Sequence, residues 1–229
     1  MNIVITGASS GIGRMLAENL QASKVFMLYN TNDEGIRLTA ENMKCEYEIF
    51  KCNVSNDDQV KRTFNLIDHI DVLINNAGTI GDALVKNMTE EKWDNVLDVN
   101  LKGAFLCSKY AIPKMSQNSH IINISSVVAR AGVIGACNYA ASKGGLESFT
   151  KSLAMELVKD GIFANCISLG FFEIGLGTRL PQKVRDNTLE RIPLHLFGDP
   201  MEIVKAVEFI IGSKYLVGSV INLNGGYYL

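Results

Sequence analysis

The sequence predicts an α/β fold: a doubly wound parallel sheet of about seven strands with helices on both faces. Three observations carry this expectation. Short β-rich apolar runs alternate with longer stretches of helical periodicity along the chain. The runs are near-continuously apolar rather than alternating, as strands covered on both faces are. A length of 229 residues, 47% of them hydrophobic, suits one domain with its own core.

The first strand is read at residues 2–6, where Asn-Ile-Val-Ile-Thr runs straight into a glycine turn. Further apolar runs place strands at 24–29, 46–51, 71–75, 120–125, 162–168 and 219–223. Helical patterns lie between them at 13–22, 57–67, 89–115, 140–159 and 201–211. Strand, helix, strand in this order gives right-handed crossovers and hence a parallel sheet. Residues 174–200 interrupt the alternation with Gly, Pro and charge. A long irregular insertion in a compact domain reads as a substrate lid, here with Leu176, Leu180 and Leu189 shaping an apolar pocket. No linker or repeat divides the chain, so residues 1–229 are expected to be one domain.

Composition excludes several function classes. The net charge is −2 without a basic or acidic block, which argues against nucleic acid or an anionic membrane surface as partner. No apolar run approaches the roughly 20 residues of a membrane span. The opening residues lack the charged and apolar regions of a secretory signal. Five cysteines, none at C-x-x-C spacing, read as reduced thiols of a cytoplasmic protein. His69, His120 and His195 are scattered, so no metal site is expected and all three read as surface or hydrogen-bonded side chains.

Residues 6–13, Thr-Gly-Ala-Ser-Ser-Gly-Ile-Gly, end a strand and open a helix. Gly7 and Gly11 permit backbone angles that a side chain would block. The helix start offers free N–H groups where the dipole favours an anion, the place for a dinucleotide pyrophosphate. The expected cofactor contacts are Gly7, Ser9, Ser10, Gly11, Ile12 and Gly13, the last letting the helix pack close to the sheet. A plain glycine-rich turn is the bland alternative.

Tyr139 and Lys143 are four apart on a helical pattern and share one face. Such a pair suits proton exchange with a reacting oxygen. A free tyrosine, pKa about 10, exchanges protons poorly near neutrality. A neighbouring lysine cation would lower that value toward working pH. Ser126 ends the fifth strand at the edge where open α/β sheets bind ligands, and could donate to the substrate oxygen. It suits a cap on the following turn equally well. Asn100 sits mid-helix, where asparagine is a poor helix former. It is either a chemical group or a mere irregularity.

Taken together, Thr6-Gly7-x-x-x-Gly11-x-Gly13, Asn75-Asn76-Ala77-Gly78, Asn100, Ser126, Tyr139, Lys143, Gly170 and Asn224-Gly225-Gly226 resemble the short-chain dehydrogenase/reductase family over essentially the whole chain. The look is that of its β-ketoacyl-acyl-carrier-protein reductase branch. The resemblance implies a Rossmann-fold enzyme using NAD(P) to reduce a ketone or β-ketoacyl carbonyl. It makes Tyr139 the general acid, Lys143 its partner and a ligand of the nicotinamide ribose, Ser126 a donor to the substrate, and Asn100 a water-mediated link to Lys143. It adds cofactor contacts at Asn76, Ala77 and Gly78, at Asn53 and Val54 beside the adenine, and at Tyr139, Lys143 and Gly170. It also implies a homo-oligomer, a tetramer, in keeping with the apolar end of the chain. The competing class is a non-catalytic dinucleotide-binding sensor or scaffold, which a broken tetrad would favour.

Some positions depart from the family. Leu169 and Ile174 stand where it has Pro and Thr, and Ile174 cannot hydrogen-bond a carboxamide. Asn30, followed by Thr31, ends the second strand where an acid would select NAD. NADP(H) is therefore preferred, with NAD(H) admissible, and Arg14 is the nearest basic residue. Gln117 and Asp160 replace two arginines that resemblance places near the site entrance for an acidic carrier. A small-molecule or acyl-thioester substrate is expected, without a requirement for docked acyl carrier protein.

Overall fold

The computed structural model describes residues 1–175, 178 and 181–228. Among these, β1 (Asn2–Thr6), β2 (Lys24–Tyr29), β3 (Glu46–Lys51), β4 (Val72–Asn75), β5 (His120–Ser126), β6 (Phe163–Leu169) and β7 (Val220–Leu223) form one parallel sheet, ordered β3-β2-β1-β4-β5-β6-β7. The helices are α1 (Gly11–Asn19), α2 (Asp33–Glu41), α3 (Asp57–Asn65), α4 (Glu90–Leu97), α5 (Gly103–Ala111), α6 (Cys137–Leu157), α7 (Gln182–Arg191) and α8 (Met201–Gly212). Strand order reverses between β1 and β4, which opens a crevice at their carboxyl ends.

Two cores flank the sheet. Successive strand residues point to opposite faces, so a continuously apolar strand serves both. Ile3, Ile5, Val25 and Met27 pack with Leu16, Ile36, Val204 and Val207 on one side. Val4, Phe26 and Leu28 pack with Val60, Phe64, Leu106 and Leu153 on the other.

The structure corrects the sequence reading in four places. β3 is an edge strand, exposed except for half-buried Phe50, and its Glu46, Glu48 and Lys51 discourage edge-to-edge pairing. Residues 89–115 are not one helix: a π-helical turn at Asp98–Lys102 separates α4 from α5. Residues 174–200 are not irregular throughout, because α7 runs through them. Leu189 is half-buried there, and Leu176 and Leu180 lie outside the described residues. His120 is neither exposed nor bonded at Nδ1, which has no partner among the described residues. Burial lowers its pKa, and its ring lies 5.4 Å from that of Phe163.

No helix among the described residues is long and apolar enough to cross a membrane, and no cluster of His, Cys, Asp or Glu is placed to hold a metal.

Candidate active site

The site begins where β1 ends. The chain turns through Gly7 and Gly11 at φ 70° and 53°. A Cβ on Gly13 would stand 2.3 Å from the Gly7 carbonyl oxygen, so α1 approaches the turn only because that side chain is missing. The first turn of α1 carries no acidic residue, and its N-cap Ser10 makes no side-chain capping bond. That cradle and uncapped helix end fit a dinucleotide diphosphate. The loop after β6 reaches the same turn: a Cβ on Gly11 would come 3.1 Å from the Gly175 Cα.

The turn is held by β4. Thr6 Oγ1 accepts the backbone N–H groups of Asn76 (3.0 Å) and Ala77 (2.9 Å). The Asn76 side-chain amide donates to the Thr6 carbonyl at 2.9 Å. Asn76 therefore fixes the glycine turn rather than offering that amide group to a ligand. Asn75 points into the sheet, donating to Asn123 Oδ1 (2.8 Å) and Ser108 Oγ (3.1 Å). Gly78 lies where Asn100 and Lys143 converge, since its Cβ would be 3.4 Å from Asn100 Oδ1 and 3.7 Å from Lys143 Nζ.

At the end of β2, Asn30 and Thr31 are exposed. The next residues do more than the sequence reading gave them. Asn32 caps α2 by accepting from the Gly35 N–H at 2.9 Å. Its Nδ2 donates to the Ser9 carbonyl at 3.3 Å. Arg14 donates to the carbonyls of Ser9 (3.3 Å) and Gly35 (2.8 Å) and to Thr39 Oγ1 (3.2 Å). These bonds fix the start of α2 against the glycine turn. An Asn-Asp-Glu helix start was the local signal for Asn32. Asp33 accepts from Lys51 (2.9 Å) and Tyr29 (2.8 Å), and Lys51 above all holds its carboxyl below the usual range.

Asn53 Oδ1 is engaged locally, accepting from the backbone N–H and hydroxyl of Ser55 at 3.1 and 2.9 Å. Val54 is buried beside Gly103, where a Cβ would meet it at 2.8 Å. Gly170 has a packing reason to be glycine: a Cβ there would lie 2.7 Å from the Asn224 Cα. Ile174 is half-buried against the same core as Ile12.

Asn100, Ser126, Tyr139 and Lys143 come from the π-helical turn, the end of β5 and α6. Asn100 clamps Thr79, accepting its N–H at 2.7 Å and donating to its carbonyl at 3.0 Å. It also donates to Ser142 Oγ at 3.0 Å. π-Helical turns are frequent at functional sites, so the irregularity and the chemical reading are compatible. Ser126 caps the following turn through the Val128 N–H (3.3 Å), one of the two roles expected of it, and it stands beside Tyr139, where it opposes the rise of the phenol pKa.

Tyr139 differs from expectation. Burial raises its pKa, the Ser126 hydrogen bond opposes that shift, and Asp82 reinforces it. Desolvation sets the direction, and the phenol stays neutral near pH 7. The Lys143 ammonium is 5.7 Å from the Tyr139 ring centroid and donates to the Ile124 carbonyl at 2.7 Å. Its own pKa is pushed down to about 8 by burial, with Cys166 opposing.

Gln117 and Asp160 do not flank this site within one chain. The Asn118 N–H donates to the Gly161 carbonyl at 2.8 Å, which places both positions at the amino ends of β5 and β6. Ser126 is at the opposite edge, roughly 20 Å along β5 at about 3.3 Å per residue.

Comparison with known proteins agrees with this geometry. The chain matches the family model described as Enoyl-(Acyl carrier protein) reductase over residues 7–228. The 3-oxoacyl-(acyl-carrier-protein) reductase FabG of Rickettsia typhi is 37% identical over 229 residues, with 97% of this chain and 95% of the relative covered. That of Thermotoga maritima is 38% identical over 235 residues, with 97% and 96% covered. A solved dehydrogenase/reductase from Sinorhizobium meliloti 1021 aligns with a TM-score of 0.94 at 23% identity, covering 100% of this chain and 95% of that one; at this identity the likeness speaks for the fold.

Proposed function

The chain belongs to the short-chain dehydrogenase/reductase family and is an oxidoreductase, and from that premise we propose that it is an NADP(H)-dependent reductase of a ketone or β-ketoacyl carbonyl. The observation that carries this reading is the convergence of Ser126, Tyr139 and Lys143 at the carboxyl edge of the sheet, beside the glycine turn. When bound, the nicotinamide supplies the hydride.

This chain's residues then handle the oxygen. The Ser126 hydroxyl donates a hydrogen bond to the substrate carbonyl, polarising it and fixing its distance from Tyr139. As hydride reaches the carbon, the Tyr139 hydroxyl gives its proton to the oxygen, leaving a phenolate and an alcohol. Burial that keeps Tyr139 neutral keeps this proton available. The Lys143 cation stabilises the phenolate and would hold the cofactor ribose. Asn100 holds the loop after β4 beside Lys143 and would order the water that returns a proton. Two hydroxyls directed at an oxygen favour a carbonyl over the carbon–carbon double bond implied by the family description. Asn30 at the end of β2, with the Asp33 charge matched by Lys51, supports NADP(H) over NAD(H). The relatives' names support an acyl-thioester substrate.

The test is a panel assay following NADPH and NADH oxidation with acetoacetyl carrier protein, acetoacetyl-CoA, small ketones and an enoyl thioester. Tyr139→Phe should keep NADPH binding and lose most turnover. Undiminished turnover in that variant, on a substrate the wild type accepts, refutes the assigned roles.

A further inference from the structure

One carboxylate on α6 grips the chain on both sides of Ser126. Glu147 is one turn beyond Lys143 and two beyond Tyr139 on the same helix. The hydroxyl of Ser125, the residue before Ser126, faces two acceptors on α6, Glu147 Oε1 at 3.2 Å and the Lys143 carbonyl at 3.3 Å. Arg130, four residues after Ser126, donates from Nε to Oε2 at 2.9 Å. The Glu147 side chain is only 7% exposed, against 37% for Arg130. On its far side the guanidinium lies 5.5 Å from the Tyr228 ring centroid. Tyr228 is itself anchored, donating to Asn222 at 2.5 Å while its carbonyl accepts from Asn224 at 3.1 Å.

We propose that Arg130 and Glu147 are positioning residues that hold the end of β5, and with it the Ser126 hydroxyl, against the face of α6 that carries Tyr139 and Lys143. The inference rests on the function proposed above. Stability alone is a poor reason for such a pair. The Glu147 carboxylate is taken out of water at a cost, while the Arg130 guanidinium stays more than a third exposed, where an ion pair contributes little to stability. The geometry supplies a better reason. Ser126 must meet Tyr139 and a substrate oxygen at hydrogen-bond distance, yet it lies where β5 gives way to a loop whose Val133 and Ile134 are exposed. A misplacement of about 1 Å can cost roughly a hundredfold in rate. Tying Ser125 and Arg130 to one buried carboxylate sets the spacing between strand end and helix, and the Tyr228 ring closes the clamp from the C-terminal segment.

The experiment compares wild type, Arg130→Lys, and the double variant Arg130→Met with Glu147→Met, each characterised by thermal melting, NADPH binding and steady-state kinetics. The double variant should melt at or above the wild-type temperature and bind NADPH with unchanged affinity. Its kcat should fall at least tenfold while KM for the carbonyl substrate moves far less. Arg130→Lys should retain an intermediate kcat. Should the double variant not fold, Arg130→Met alone, with kcat expressed per NADPH-binding site, decides the same question. Wild-type kcat, or a loss only in step with lost folded protein, overturns this inference alone. Wild-type turnover that survives Tyr139→Phe overturns the functional reading and this inference together.

Discussion

The Lys143 ammonium donates a 2.7 Å hydrogen bond to the carbonyl oxygen of Ile124, two residues before Ser126. A buried cation is thereby tied to the strand that carries the serine, at a cost to the fold. The gap between the ordinary 10.5 and about 8 corresponds to about 3 kcal/mol of penalty on the charged form. The penalty is fully present below pH 8 and is relieved as pH rises from 8 toward 10.5, where the folded protein holds fewer protons than the unfolded chain.

Lys143→Met should therefore stabilise the protein while inactivating it. Allowing for the lost bond to Ile124, we expect a gain of about 1–2 kcal/mol at pH 7. The advantage should shrink as pH rises toward 10. Denaturant titrations at pH 7 and pH 10 check this; a variant less stable than wild type at pH 7 contradicts it.

The same residue sets an alkaline limb on reduction. Tyr139 must be neutral to donate its proton, and burial keeps it so. Lys143 must be charged to stabilise the phenolate, and its charge is lost above about pH 8. The rate of reduction should fall as pH rises through that value. Lys143→Arg, whose guanidinium stays charged, should move the limb upward even if the maximal rate is lower. A limb that stays in place in the arginine variant would assign it to another group.

Gly13→Ala tests the cradle. Its methyl would meet the Gly7 carbonyl oxygen at 2.3 Å, and backbone cannot swing aside as a flexible side chain can. We expect NADPH affinity to fall at least tenfold and the fold to lose about 1–3 kcal/mol. Titration calorimetry and thermal melting read the two effects. Wild-type affinity would show that the turn does not form the diphosphate site.

Cofactor choice is testable at Asn30. The nearby Asp33 carboxylate is matched by Lys51 at 2.9 Å, so it is poorly placed to repel a 2′-phosphate. Asn30→Asp adds an unmatched acid at the strand end and should shift the ratio of kcat/KM at least tenfold toward NADH. An unchanged ratio would locate the selectivity elsewhere.

A homotetramer remains the expected assembly, though for a different reason than the apolar end of the chain. Tyr227 and Tyr228 are half-buried in their own chain, beside Phe171 and Arg130. Exposed apolar side chains on α5 and α6, Phe105 at 45% and Met155 at 73%, offer a surface to a second copy. Light scattering at micromolar concentration should report a tetramer; a monomer would refute it.

The order of the strands, the glycine turn and the shared face of Tyr139 and Lys143 were legible in the sequence, whereas α2, α7 and the break between α4 and α5 were not. The legible features depend on neighbours a few residues apart, where periodicity and backbone freedom act directly. Tertiary structure decided the rest, because it joins residues that only strand order brings together. It set Asn76 to holding the glycine turn across the β1–β4 crevice, and Asn32 and Arg14 to bracing α2. It sent Gln117 and Asp160 to the far edge of the sheet, a consequence of all strands running parallel. The sequence reading also had Lys143 lowering the Tyr139 pKa. That sign depended on how much water the fold excludes, and burial raises the phenol pKa.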